Sequence, residues 1–235
     1  MPMSGMFDPT IIILIPAILF TLYAQGKVSR AYRIYSKIQN RTHITGAQAA
    51  RRVLDANGLA NVRIEMTGGT LSDHYDPKDR VMRLSAQVFN EASIASVSIA
   101  AHESGHAIQH GSGYTLLSVR NAMVPVVNVV SNLSWPLLII GIIISGTGRI
   151  AAGNLLFDIG IFFFAAVVLF HLITLPVELN ASSRAVRQLQ TLGIVGTDEV
   201  RGARKVLSAA AMTYVAALAT AVLNLIRLLL IRGRD

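Results

Sequence analysis

The chain has 235 residues, with 21 Lys+Arg against 13 Asp+Glu, a formal net charge of +8, and no cysteine. Charged residues are 14% and apolar residues 52%, where a soluble domain carries about 25% charge. A disordered chain, a disulfide scaffold and any Cys-ligated metal, haem or iron–sulfur site are excluded, and no aromatic–basic interleaving points to nucleic acid.

The apolar residues are concentrated. Uncharged runs of 18, 28, 19 and 21 residues separate Asp8 from Lys27, Arg120 from Arg149, Asp158 from Glu178 and Lys205 from Arg227. A helix that crosses a bilayer needs about 20 apolar residues. Four spans are therefore expected near 9–25, 122–146, 155–176 and 207–229. No Lys or Arg precedes the first, which is unlike a cleaved signal peptide. Basic residues follow it, and 12 of them fall in 26–120. Positive-inside logic then sets the N-terminus outside and the next segment in the cytoplasm of a multi-pass cell-membrane protein. Four spans would leave three basic residues of the C-terminus outside, which conflicts with the same rule, so the side of the C-terminus stays open.

After the first span, residues 26–39 read as a basic amphipathic helix with Ala31, Ile34, Tyr35 and Ile38 on one face. Residues 45–57 read as a helix capped by Thr45 and stopped by Gly58. Val62, Ile64 and Met66 alternate as in a half-buried strand, 72–79 is turn chemistry, and 80–84 is a second short strand. A helix is expected over 91–110, ended by Gly111. The second span carries Pro125 and Pro136 and is a candidate for a kink or break. A further helix is expected to open after Pro176. The fold class is a mainly α integral membrane protein: about four transmembrane helices plus a small α+β, zincin-like unit with a short β-hairpin. The chain reads as one domain over 1–235, its catalytic unit 26–118 completed by 177–205.

The 91–110 helix contains His102-Glu103-Ser104-Gly105-His106. Histidines four apart share a helix face and can converge on one Zn²⁺, while the Glu beside the first reaches a bound water as general base. In a chain of this composition, chance supplies about 0.003 such matches. A catalytic zinc needs a third ligand and an open position. His110 stands eight residues from His102, about 12 Å along a straight helix, too far to share an ion. Glu178, past Pro176 at the end of the third span, is better placed; His171, seven residues earlier, is its rival.

The stretches SDHYDPKDRVMRLS, AAHESGHAIQH and LPVELNASSRA resemble the bacterial membrane-bound zinc metallopeptidases of the YugP type. More distantly, they are similar to the HtpX-like and CaaX prenyl proteases. The likeness covers nearly the whole chain. It implies a zinc-dependent endopeptidase with a gluzincin-like ligand set of His102, His106 and Glu178 and with Glu103 as general base. In the distant relatives the later helix reads E-x-x-A-D, the Asp supporting a zinc-binding His. Here Ser182 stands in that place, so support for His102 is expected from Asn180 or Ser182.

His74 and Tyr75 are candidate contacts to substrate or to the oxyanion of the transition state, against a plain turn stabilised by Asp73 and Asp76. The 80–84 strand is a candidate for pairing with an extended peptide, with an internal hairpin strand equally open. The expected partners are a protein or peptide substrate and the lipid bilayer. The competing class is a non-catalytic zinc-dependent membrane scaffold or chaperone-like binder, against which an intact Glu103 argues. Substrate specificity and oligomeric state are not written in the sequence.

Overall fold

A computed structural model describes residues 9–233. A 3-10 turn, Pro9–Leu14, leads into α1 (Ile15–Tyr35), followed by α2 (Gly46–Ala56), β1 (Arg63–Thr67), β2 (His74–Asp76), β3 (Val81–Ser85), α3 (Ala86–Asn90), α4 (Ile94–Gly111), α5 (Thr115–Gly146), α6 (Ile150–Thr191) and α7 (Val200–Arg232). Four helical stretches are long and apolar enough to cross a membrane: Thr10–Tyr35, Thr115–Gly146, Ile150–Thr191 and Val200–Arg232. The protein is thus a mainly α membrane protein with a small α+β part. The described residues fall into two compact units, one drawn from 9–23, 119–175 and 214–233, the other from 24–118 and 176–213.

The first unit turns large apolar side chains outward, among them Ile12, Leu155 and Phe162 at 63%, 62% and 74% exposure. Such a surface suits hydrocarbon and not water. Inside it, α5 and α6 approach closely because small residues meet. A Cβ on Gly141 would lie 2.8 Å from the Gly153 carbonyl oxygen, and Ser134 Oγ donates to the Gly160 carbonyl. Asp158 accepts from Arg232 at 2.7 Å.

The second unit carries the sheet. β3 lies centrally, parallel to β1 and antiparallel to β2, with Arg63 opposite Val81 and His74 opposite Arg83. Thr45 caps α2 with a reciprocal bond pair to Gln48, and Gly58 takes φ +71° beyond its end, a conformation glycine adopts without steric cost. The helix α4 runs through the middle. Ile94, Val97, Ala101 and Ile108 pack with α2, α6 and α7, while Ala100 and Ala107 pack with Leu54, Met82 and Leu84 under the sheet. Two of its faces are therefore committed to core, and the remaining stripe carries His102, His106 and Gln109.

Several elements differ from the sequence expectation. Residues 74–76 pair with β3, so part of the expected turn is a strand, and β3 is paired on both sides, which removes it as an edge for an incoming peptide. The helix expected from Glu91 starts three residues later, because Glu91 is extended and α4 opens behind Ser93, whose side chain accepts from the Ser96 N–H; a separate short helix, α3, precedes it and ends at Asn90. Neither Pro125, Pro136 nor Pro176 interrupts its helix. A proline forfeits one backbone bond, and a long membrane helix held on both sides tolerates that loss.

Candidate metal centre and active site

The His102 and His106 rings stand one turn apart on α4, edge to face with centroids 4.8 Å apart. Glu178 projects from α6, its side chain 3% exposed. Glu178 Oε2 lies 3.3 Å from His102 Nε2 and 3.5 Å from His106 Nε2. Gly105 permits this: a Cβ there would sit 2.6 Å from the Ala181 carbonyl oxygen, so the α4 and α6 backbones touch one residue before His106 and three beyond Glu178.

The ligand atoms of His102, His106 and Glu178 all lie within 4.8 Å of one another, and among the described residues this is the group able to hold a metal ion. Ligand atoms about 2.1 Å from one ion at tetrahedral angles stand about 3.4 Å apart, which the two Glu178 separations match. Two imidazoles with one carboxylate are also the donor set of a zinc site that keeps a fourth position open. Neither His110 nor His171 belongs to the group.

Glu103 is buried beside it. Burial raises its carboxyl above the usual range, the charges of His102 and His106 pull it down, and Glu178 and Asp73 raise it further. Among the described residues nothing donates a hydrogen bond to this carboxylate. For His106, burial pulls the pKa down, but the hydrogen bond to Glu178 and the charge of Glu103 reverse this, and the net shift is upward. Two buried carboxylates with only imidazoles as counterweight favour a cation between them.

Each histidine has a partner on its far nitrogen. Ser182 Oγ lies 3.2 Å from His102 Nδ1. Gln109 Oε1 lies 3.0 Å from His106 Nδ1, and Gln109 Nε2 donates to the Val177 carbonyl and to Asn180 Oδ1. Asn180 thus reaches the His106 side and not His102. Gln109 was not among the residues the sequence singled out. The sequence offers only a positional hint, since Gln109 follows His106 by three positions on the same helix face.

His74 and Tyr75 stand on β2. His74 is exposed and its Nδ1 meets the Ser72 carbonyl oxygen. The Tyr75 hydroxyl is 2.9 Å from His110 Nδ1, and both line a cavity of about 430 Å³ with Asn61 and Arg80. Asp73 accepts from both the backbone N–H and the hydroxyl of Ser85, which fastens the strand entering α3. Asp76 meets Arg83 across the hairpin.

The chain belongs to the zinc metallopeptidase family described as "Putative neutral zinc metallopeptidase", whose model matches residues 10–233. It is 45% identical over 227 residues, 96% of this chain and 98% of the relative, to a Bacillus subtilis (strain 168) protein called "Putative membrane protease YugP". No solved structure matches it.

Proposed function

We propose that this protein is a membrane zinc endopeptidase in which His102, His106 and Glu178 hold the metal and Glu103 is the general base. The observation that carries the reading is the convergence of both Nε2 atoms on one Glu178 oxygen at 3.3 and 3.5 Å, with Glu103 buried alongside. Zinc, when bound, supplies a Lewis acid that polarises a peptide carbonyl and acidifies water. Glu103 takes the proton of the attacking water as the C–O bond forms. It then delivers that proton to the amide nitrogen as the C–N bond breaks. Its buried position keeps bulk water from competing for the proton and favours return of the neutral acid between the two steps. Tyr75, oriented by His110, and the neighbouring His74 are proposed to contact substrate. Ser182 supports His102 through Nδ1, and Asn180 acts on His106 through Gln109.

The 12 basic residues in 26–120 support a multi-pass arrangement in the cell membrane with this unit facing the cytoplasm. The substrates are then membrane or membrane-proximal proteins, and 1–235 acts as one peptidase domain. The test is zinc analysis with cleavage of a model membrane substrate, wild type against Glu103→Gln. Glu103→Gln retains zinc and loses hydrolysis; turnover near wild type removes Glu103 as the base. Zinc binding without cleavage of any membrane substrate by the wild type favours a binding protein instead.

A further inference from the structure

Gln109 is completely buried, and every hydrogen-bonding atom of its amide is engaged. Which way this amide faces is set by its surroundings. Its nitrogen lies 2.8 Å from the Val177 carbonyl oxygen, an atom that only accepts. The same nitrogen lies 3.0 Å from Asn180 Oδ1. That oxygen is itself fixed as an acceptor by Arg184 Nε, a group that only donates, at 2.8 Å. Turning the amide over would set an oxygen against two acceptors. Both anchors therefore agree that Gln109 Oε1 faces His106.

An amide oxygen cannot donate, so the proton in the 3.0 Å contact belongs to His106 Nδ1. In the neutral ring this leaves the lone pair on Nε2, the nitrogen 3.5 Å from Glu178 Oε2. The other end of the amide grips α6 at Val177, the residue before Glu178. Resting on the zinc reading above, we infer that Gln109 is a positioning residue. It selects the His106 tautomer that presents Nε2 to the metal, and it holds the Glu178 backbone in register with α4. His102 lacks such a constraint, because the Ser182 hydroxyl it meets both donates and accepts.

The test uses the full-length protein in detergent, with histidines labelled by ¹⁵N, and the variants Gln109→Met and Gln109→Glu. In metal-free wild type at alkaline pH, where imidazoles are neutral, the ring signals assigned by their loss in His106→Gln should report a proton on Nδ1. Gln109→Met, close in volume but without polar atoms, should give mixed tautomers. It should also weaken zinc, titrated against a chromophoric chelator, by about 10–100-fold. Gln109→Glu keeps an acceptor toward Nδ1 but sets its second oxygen against the Val177 carbonyl and Asn180 Oδ1, so it should restore the Nδ1–H tautomer without restoring zinc affinity, a split that lost packing alone would not give. A proton on Nε2 in the wild type overturns the inference without any variant. A folded Gln109→Met with wild-type tautomer and zinc affinity overturns it as well. If Glu178→Ala also binds zinc as tightly as wild type, the metal site itself is misassigned, a failure that the tautomer measurement separates from this one.

Discussion

The contact between Gly105 and Ala181 gives the sharpest test of how the site is assembled. Adding a methyl group at 105 brings a Cβ to 2.6 Å from the Ala181 carbonyl oxygen, 3.1 Å from its carbon and 3.2 Å from its Cα. All three are backbone atoms, so no rotamer change relieves the clash. Restoring ordinary contact, from 2.6 to 3.4 Å, requires α4 and α6 to part locally by about 0.8 Å. Metal sites accept deviations of about 0.2 Å in ligand distance, and the proposed ligands on both helices lie within one turn of the contact. Overpacking costs about 1–3 kcal/mol, while alanine in place of glycine within a helix returns about 1 kcal/mol. The net loss of about 0–2 kcal/mol leaves a protein of ordinary stability folded. Gly105→Ala should therefore keep its fold and lose zinc affinity by about tenfold or more. Thermal unfolding of the metal-free protein and chelator competition measure the two effects separately. Gly26→Ala is the control, since a Cβ there meets nothing within 4 Å, and it should leave zinc unchanged. Gly105→Ala with wild-type zinc affinity would refute the argument that close helix approach sets the ligand geometry.

The third ligand is decided by zinc stoichiometry on purified variants. Glu178→Ala should lose zinc while His110→Ala and His171→Ala keep it, and full retention in Glu178→Ala with loss in His171→Ala would reverse the assignment. Topology can be read by labelling single cysteines introduced into this cysteine-free chain. Positions between 28 and 110 should react from the cytoplasmic side, and labelling there from outside intact cells would put the active site on the other face.

What the sequence made legible was local. His102 and His106 are recognisable because a four-residue spacing fixes two side chains on one helix face regardless of the rest of the fold. Glu178, 76 positions after His102, has no such local signature; its position at a span end left His171 as a rival until the motif around it was compared with a family. Gln109 was missed because a polar residue on a helix looks the same whether it meets solvent or a buried carbonyl. β2 reads as a turn in the sequence because three residues among Asp and Pro carry no alternation, and only pairing with β3 makes them a strand. Pro176 was read as a helix start because proline favours the first turn, yet α6 runs unbroken through it.

Ser182 is where the chain departs from the E-x-x-A-D pattern of the proteases it resembles only distantly, and the geometry gives a reason why the departure is tolerable. A carboxylate at 182 would be a third acid in a pocket that already buries Glu103 and Glu178, and like charges in low dielectric raise one another's pKa. The partners used instead are neutral: a hydroxyl toward His102 and an amide oxygen toward His106. Each can orient a ring without adding charge. If both rings are neutral and both acids ionised, the ligands and Glu103 carry two negative charges, which one divalent cation balances. An additional carboxylate would leave that balance negative and would push the Glu103 carboxyl, already raised by burial, higher still. On the proposed mechanism, neutral orientation of the histidines avoids raising the Glu103 carboxyl beyond what burial already does.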